Sequence, residues 1–229
     1  MNFLKLFVVK TLSLIRLDFL YIVLSKNGYF ISTGWLKSFF YRKIIDRNNM
    51  PIPWWTYSSI KFVDQRLTKD MEIFEFGAGF SSLWLSKRVK SITAIENNKE
   101  WLDYIKKKNI PNIELIYSDT NNRKYVDIAF LPIENNEISY GSAISKTNKK
   151  FDIIIIDGVD RNKSIKYAID SLKINGVIII DNLEYSDKIT EALLLLKDFK
   201  SLEFWGLAPS VSHESGTGIF YRENNCLSI

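Results

Sequence analysis

From Glu72 onward, short β-branched and aromatic runs alternate with amphipathic stretches. The β-rich runs are Glu72–Phe76, Ser91–Ile95, Ile113–Tyr117, Phe151–Ile156 and Val177–Ile180. Helical spacing fits Ser82–Val89, Lys99–Lys108, Lys163–Leu172 and Lys188–Phe199. Ile153–Ile156 and Val177–Ile180 are apolar at every position, which suits central parallel strands covered on both faces. Strands alternating with helices in this way predict βαβ units and a doubly wound sheet. Leu202–Leu207 and Thr217–Arg222 then follow with only the loop Ala208–Gly216 between them, so they pair antiparallel. The predicted class is α/β, a mostly parallel seven-stranded sheet with a C-terminal antiparallel strand.

Residues 1–50 have a different pattern and read as a helical arm, with the main domain at 51–229. Pro51-Ile52-Pro53 ends the arm, because proline cannot continue a helix. Ser58 or Ser59 then caps a helix whose Ile60, Val63 and Leu67 share a face. Lys10, Arg16 and Asp18 break the apolar run, so nothing approaches the roughly 20 residues needed to cross a bilayer. No small-residue cleavage site follows it. Beside docking to another partner, two readings of the arm stay open. Its helices pack on the domain or on a second copy of the chain, as in a dimer, or residues 1–25 lie on an anionic membrane surface.

Charge sharpens the division. The arm carries eight basic residues against two acidic ones, whereas the rest has 23 basic and 24 acidic. A nucleic-acid groove needs a basic face, so no nucleic-acid partner is expected of the main domain. Cys226 is the single cysteine and His213 the single histidine, which excludes an intrachain disulfide and a Cys/His zinc site. Such cysteine usage suits a cytoplasmic protein, peripheral to a membrane if the arm binds one.

The strongest local signal is Ile73-Phe-Glu-Phe-Gly-Ala-Gly-Phe-Ser-Ser. It puts Gly77 and Gly79 in the turn after the first strand, where backbone can approach a ligand closely. Ligands of open α/β sheets bind at the carboxyl ends of the strands, beside the topological switch point. Glu96 ends the next strand, nineteen residues beyond Gly77, where an acidic side chain can accept hydrogen bonds from both ribose hydroxyls. A NAD site wants a third glycine, and that position is Ser82. Glu75 instead offers an anion to an amino group. The combination favours S-adenosylmethionine (SAM) over NAD.

In order along the chain, these residues resemble the class I SAM-dependent methyltransferases. Glu75-Phe-Gly-Ala-Gly is similar to their first motif, Ala94-Ile-Glu96 to the acidic motif after it, and Tyr117-Ser-Asp119 to the position that meets the adenine amino group. Phe151–Gly158 and Leu172–Asp181 resemble the next two strands, and the terminal hairpin their reversed strand. The resemblance covers roughly residues 55–223. It implies a Rossmann-like fold with SAM as cofactor, bound by Glu75, Gly77, Ala78, Gly79, Ser81, Glu96, Asn97, Asp119 and Asp157. A narrower likeness joins Gly34-Trp35, Pro51–Trp54 with Tyr57, Asp157–Arg161 and Asn225-Cys-Leu to a group of bacterial methyltransferase-like proteins, without naming an acceptor.

Methyl transfer aligns a nucleophile with the methyl and removes a proton from a hydroxyl or ammonium acceptor. Asp157 and His213 are the candidate catalytic groups. Asp160 and Arg161 either bind a polar substrate or sit in a solvated turn. Asp157, Asp181 and Asn182 are similar to the metal ligands of catechol-type O-methyltransferases, and oxygen donors suit Mg²⁺. The interval between the two aspartates is shorter than in that group, however, and metal-free turnover is expected. Trp54, Trp55 and Tyr57 form either an acceptor wall or a packing anchor for the arm. The expected function is O-methylation of a small-molecule or glycan-like acceptor. The alternatives are a non-catalytic or membrane-peripheral protein that keeps the fold, and aminopropyl transfer.

Overall fold

The computed structural model describes residues 3–120 and 123–229. The arm comprises α1 (Phe3–Leu14), α2 (Asp18–Val23), α3 (Tyr29–Ser32) and α4 (Trp35–Tyr41). The domain follows as α5 (Tyr57–Asp64), β1 (Glu72–Phe76), α6 (Phe80–Leu85), β2 (Ser91–Glu96), α7 (Lys99–Lys106), β3 (Ile113–Tyr117) and α8 (Tyr125–Ile128). It ends with β4 (Phe151–Ile156), α9 (Arg161–Ser171), β5 (Leu172–Asp181), α10 (Thr190–Leu194), β6 (Lys200–Gly206) and β7 (Ser215–Tyr221).

The strands form one seven-stranded sheet in the order β3-β2-β1-β4-β5-β7-β6. The pairs from β3 through β5 are parallel, and β7 lies antiparallel to both β5 and β6. This is the α/β class that the hydrophobic pattern predicts. The all-apolar strands explain the order. Ile154, Ile156, Ile178 and Ile180 enter the core on one face, while Ile153, Ile155, Val177 and Ile179 enter the core on the other. All eight are fully buried. At roughly 1.5–3 kcal/mol per buried aliphatic side chain, no edge position would use them as well.

Strand order reverses beside β1, where β2 pairs on one edge and β4 on the other. The carboxyl ends of β1, β2 and β4 therefore open a crevice, and every functional candidate on the domain must be judged by its distance from it.

Several elements differ from the sequence expectation. The helix after Pro53 is capped at Thr56, whose Oγ1 donates to Ser59 Oγ at 3.0 Å, and not at Ser58 or Ser59. β5 begins at Leu172, directly where α9 ends, so the exposed Ile174-Asn175 stretch is strand. The helix expected over Lys188–Phe199 shrinks to Thr190–Leu194 behind a 3₁₀ turn at Leu183–Lys188. Ile189, at φ −120° and ψ 16°, interrupts it. The long crossover from β3 to β4 is not featureless. It holds α8 and a 3₁₀ turn at Ala143–Thr147, and buries Ile128, Ile133, Ile138, Tyr140 and Ile144.

The arm divides near Gly28. Before it, Phe7, Leu14, Ile15, Phe19 and Leu24 are exposed. After it, the Tyr29 ring meets Tyr57 edge-on at 5.8 Å, and Trp35 Nε1 donates to the Val211 carbonyl at 2.8 Å. An isolated bridge pairs Ile45 with Pro51. Among the described residues no helix is long and apolar enough to cross a membrane.

Candidate functional site

The turn after β1 is fixed by close backbone approach. Gly77 has φ +98°, and a Cβ built on it would stand 2.9 Å from the Asp157 carbonyl oxygen. The amides of Gly77 and Ala78 both donate to the Ile95 carbonyl, at 2.9 and 3.2 Å. The turn is thus pinned between the ends of β2 and β4. Gly79 N–H donates to Ser82 Oγ at 2.9 Å, and the Ser82 hydroxyl donates to Glu75 Oε2. Ser82, where a dinucleotide site has glycine, is the bridge from the turn to the buried acid.

Glu75 is fully buried and its Oε1 has no hydrogen-bond partner. Burial pushes its carboxyl up to about 8, against the pull of the Ser81 and Ser82 hydroxyls. Glu96 closes β2, and its Oε1 accepts the amides of Asn97 and Asn98 at 2.9 and 2.7 Å. Burial raises it to about 7. One of its oxygens is already engaged, so a ligand meets chiefly the other. Trp101 Nε1 donates to the Ala78 carbonyl at 2.6 Å and holds α7 against the turn.

Asp157 follows β4. Its Oδ2 accepts from Trp55 Nε1 at 3.3 Å and its Oδ1 from Arg161 Nη2 at 3.4 Å. Burial raises it to about 6, with the Arg161 charge opposing. Asp181 ends β5, accepts the Thr217 hydroxyl at 2.7 Å, and is held well above the usual carboxylate range by burial and then by the Asp157 charge.

Arg161 ties these groups together at 1% exposure. Nε donates to the Gly158 carbonyl (3.0 Å) and Nη1 to that of Asp181 (2.5 Å). Nη2 reaches Asn182 Oδ1 (2.9 Å), Tyr125 Oη (3.2 Å) and Asp157 Oδ1. The solvated-turn reading of Asp160 and Arg161 is corrected: each side chain is buried, and Asp160 Oδ2 accepts the Gly141 amide at 3.1 Å while its Oδ1 has no partner. Asp157 and Asn182 converge, but on a guanidinium. Among the described residues no three His, Cys, Asp or Glu side chains group as metal ligands.

A cavity of about 870 Å³ opens over the turn. Gly77, Ala78, Gly79, Ser81, Glu96, Asn97 and Asp157 line it on the sheet side. Glu75 lies beneath the turn and is not on the cavity wall. Asp119 stands apart, exposed, on a separate cavity of about 450 Å³ with Lys146 and Lys149. His213 is exposed and does not line the cavity, although Ser210 of the same loop does. The aromatic cluster splits. Trp55 is fully buried on Asp157, Trp54 is 53% exposed on the cavity wall, and Tyr57 packs against Tyr29.

Sequence reasoning missed Phe39, Phe40, Arg42 and Tyr125, which also line the cavity. Phe39-Phe40-Tyr41 at the end of an arm helix was a readable signal, since three adjacent aromatics cannot all face one core. Tyr125 gave none.

No family model matches the sequence, and no curated protein matches it. Solved structures do. A precorrin 8w decarboxylase from Methanobacterium thermoautotrophicum aligns at TM-score 0.52 and 18% identity over 79% of this chain and 96% of that one. A precorrin-6y C5,15-methyltransferase from Geobacter metallireducens (TM-score 0.49, 20% identity) covers 72% of this chain and 87% of its own. An rRNA methylase from Streptococcus thermophilus (TM-score 0.49, 14% identity) covers 72% and 95%. The chain has the fold of the class I SAM-dependent methyltransferases. The expectation that nucleic acid is not a partner is withdrawn, because an rRNA methylase stands among the structures of similar fold. The charge count behind it sums over the domain and does not locate charge on a face.

Proposed function

We propose that the chain is a SAM-dependent methyltransferase acting on an oxygen of a small-molecule acceptor. The observation that carries this is Glu75 Oε1, a fully buried carboxylate oxygen without a partner, under a glycine turn and close to Glu96 and Asp157. An orphaned buried acceptor costs about 1–3 kcal/mol, and a cationic ligand would offset it. A pyrophosphate would meet Asp157, mostly ionised at neutral pH, as repulsion, and would hold Glu75 and Glu96 in their neutral forms. The residues therefore fit SAM, whose bound form supplies an electrophilic methyl on a sulfonium.

Backbone of Gly77–Gly79 admits the cofactor closely, Glu96 and Asn97 hold its ribose side, and Glu75 answers its amino group across the turn. Asp157, oriented from both sides by Trp55 and Arg161, is placed to take the proton of an acceptor hydroxyl. With its carboxyl at about 6, it is mostly ionised at neutral pH, as a base must be. A cavity near 870 Å³ lies toward the upper end of ordinary ligand sites, roughly 300–1,000 Å³, and leaves room for an acceptor beside the cofactor.

Calorimetric titration with SAM tests the assignment. Glu96→Ala is expected to weaken binding roughly tenfold or more, the equivalent of about 1.4 kcal/mol. Unchanged affinity in a folded variant would remove Glu96 from the site, and tight NAD binding by the parent would overturn the reading.

The carboxyls also predict a pH dependence. Glu75, Glu96 and Asp157 have folded-state values of about 8, 7 and 6, above the usual range. The folded state then holds extra protons across that interval, so ligand-free stability falls as pH rises through it. A sulfonium binds the ionised forms, and SAM affinity is expected to rise from pH about 6 to about 8. S-adenosylhomocysteine, without the sulfonium charge, should gain less. S-adenosylhomocysteine keeps the amino group that Glu75 answers and should share that part of the rise, and a SAM affinity flat across the interval would show that the three carboxyls do not face the cofactor's charges.

A further inference from the structure

The geometry points to an acceptor-binding wall built by the arm and selective for a ring compound bearing an anionic group, with Arg42 as the anion's partner. It rests on the methyltransferase reading for what else the cavity holds, and on the arm's own geometry for the rest.

The wall is built rigidly. Gly34 has φ +86°, and a Cβ there would stand 2.4 Å from the carbonyl carbon of Asp46, so α4 lies directly on the 45–47 segment. The buried Ser38 hydroxyl donates to the Ile45 carbonyl at 2.7 Å and accepts the Ile45 amide at 3.1 Å. Lys37 Nζ donates to the Arg47 carbonyl and to Asn49 Oδ1, and Asp46 Oδ1 accepts the amides of Asn48 and Met50. Trp35, fixed through Nε1 to Val211, stacks on Phe39 at 5.3 Å with 9° between the planes.

So much fixing would suit a packing anchor, but the rings are on the wrong side for one. Phe40 is 73% exposed and Trp54 53% exposed, and both border the cavity. Exposed aromatics held in place by polar staples present π-faces to a ligand, for stacking on a planar ring or on the C–H face of a sugar.

Arg42 supplies the charge. It is the one cation among the described residues on the cavity wall, and no hydrogen bond or ion pair engages its side chain. It caps α4 in the left-handed region (φ 51°, ψ 41°), with its amide on the Ser38 carbonyl, a conformation uncommon for a side chain of this size. Glu96 and Asp157 line the same cavity and repel an anion. An acceptor bound with its anion on Arg42 and its ring against Phe40 and Trp54 keeps that anion off the two carboxyls.

The test uses the full chain with S-adenosylhomocysteine present and absent. Phenyl phosphate and glucose 6-phosphate are titrated against phenol and glucose, read by calorimetry and tryptophan fluorescence. The anionic member of each pair is expected to bind roughly tenfold tighter, as one charge-assisted hydrogen bond supplies. Arg42→Gln should bring that ratio to about one, Arg42→Lys should restore most of it, and Trp54→Ala should weaken both members equally. An equal affinity for charged and neutral rings, a preference that survives Arg42→Gln, or binding confined to a single-stranded oligoribonucleotide would overturn the proposal. Charge preference without any S-adenosylhomocysteine binding would sink the cofactor reading and leave this wall standing.

Discussion

Arg161→Ala is expected to cost about 3–5 kcal/mol of folding stability, measured by urea denaturation at neutral pH. Removing one partner of a buried charge cluster leaves the others uncompensated, and losses of that size are typical. Here five acceptors lose their donor together: the carbonyls of Gly158 and Asp181, Asn182 Oδ1, Tyr125 Oη and Asp157 Oδ1. Arg161→Lys keeps the charge but has one nitrogen where the guanidinium uses three, so it should recover less than half of the loss. The pH dependence separates this from plain cavity formation. Asp157 and Asp181 already sit above their ordinary range and would rise further without the guanidinium. A carboxyl whose folded value exceeds its unfolded one draws stability down as pH rises through the interval. The deficit of the variant should therefore be smallest near pH 5 and grow toward pH 8. A deficit under about 1 kcal/mol, or one flat in pH, would show that the guanidinium is not the neutralising group.

That cluster also marks where the sequence stopped being readable. The strands were legible because Ile153–Ile156 and Val177–Ile180 leave no exposed face, and a parallel sheet is what buries both faces. The glycine turn was legible because Gly77 at φ +98° is a position that other residues rarely fill. Arg161 was not. In Asp157-Gly-Val-Asp-Arg161 a charged residue after a strand reads as solvated, since arginine is almost never fully buried unless paired. Three of its five partners, Tyr125, Asp181 and Asn182, come from α8 and the end of β5, distant in sequence, and no local pattern records their convergence. Asp119 shows the same limit: its motif position was legible, whereas its place on the separate cavity beside β3 depends on the loop after that strand. The arm wall was half legible. Its aromatics were visible as a run, whereas their place on the cavity wall depends on how α4 docks.

Gly158→Ala tests whether the turn and the crossover share one fixed geometry. A Cβ at Gly158 would stand 2.1 Å from Tyr140 Oη and 3.1 Å from the Gly77 amide nitrogen. Tyr140 cannot swing away, since its ring is fully buried and its hydroxyl reaches the Ile95 carbonyl at 3.3 Å, the same carbonyl that holds Gly77 and Ala78. Overpacking of this kind costs about 1–3 kcal/mol, and here the displacement passes straight into the backbone that admits the cofactor. SAM affinity should therefore fall roughly tenfold or more beyond the stability loss, equivalent to about 1.4 kcal/mol. Tyr140→Phe removes the oxygen the new methyl strikes and alone should cost about 1 kcal/mol. The ring carbon Cζ still stands 2.9 Å from the new methyl, so the Gly158→Ala/Tyr140→Phe pair is expected to be more stable than the sum of its members predicts but to regain only part of the SAM affinity. Strict additivity in that cycle would mean that Gly158 and Tyr140 do not bear on each other. The crossover would then have no part in holding the turn.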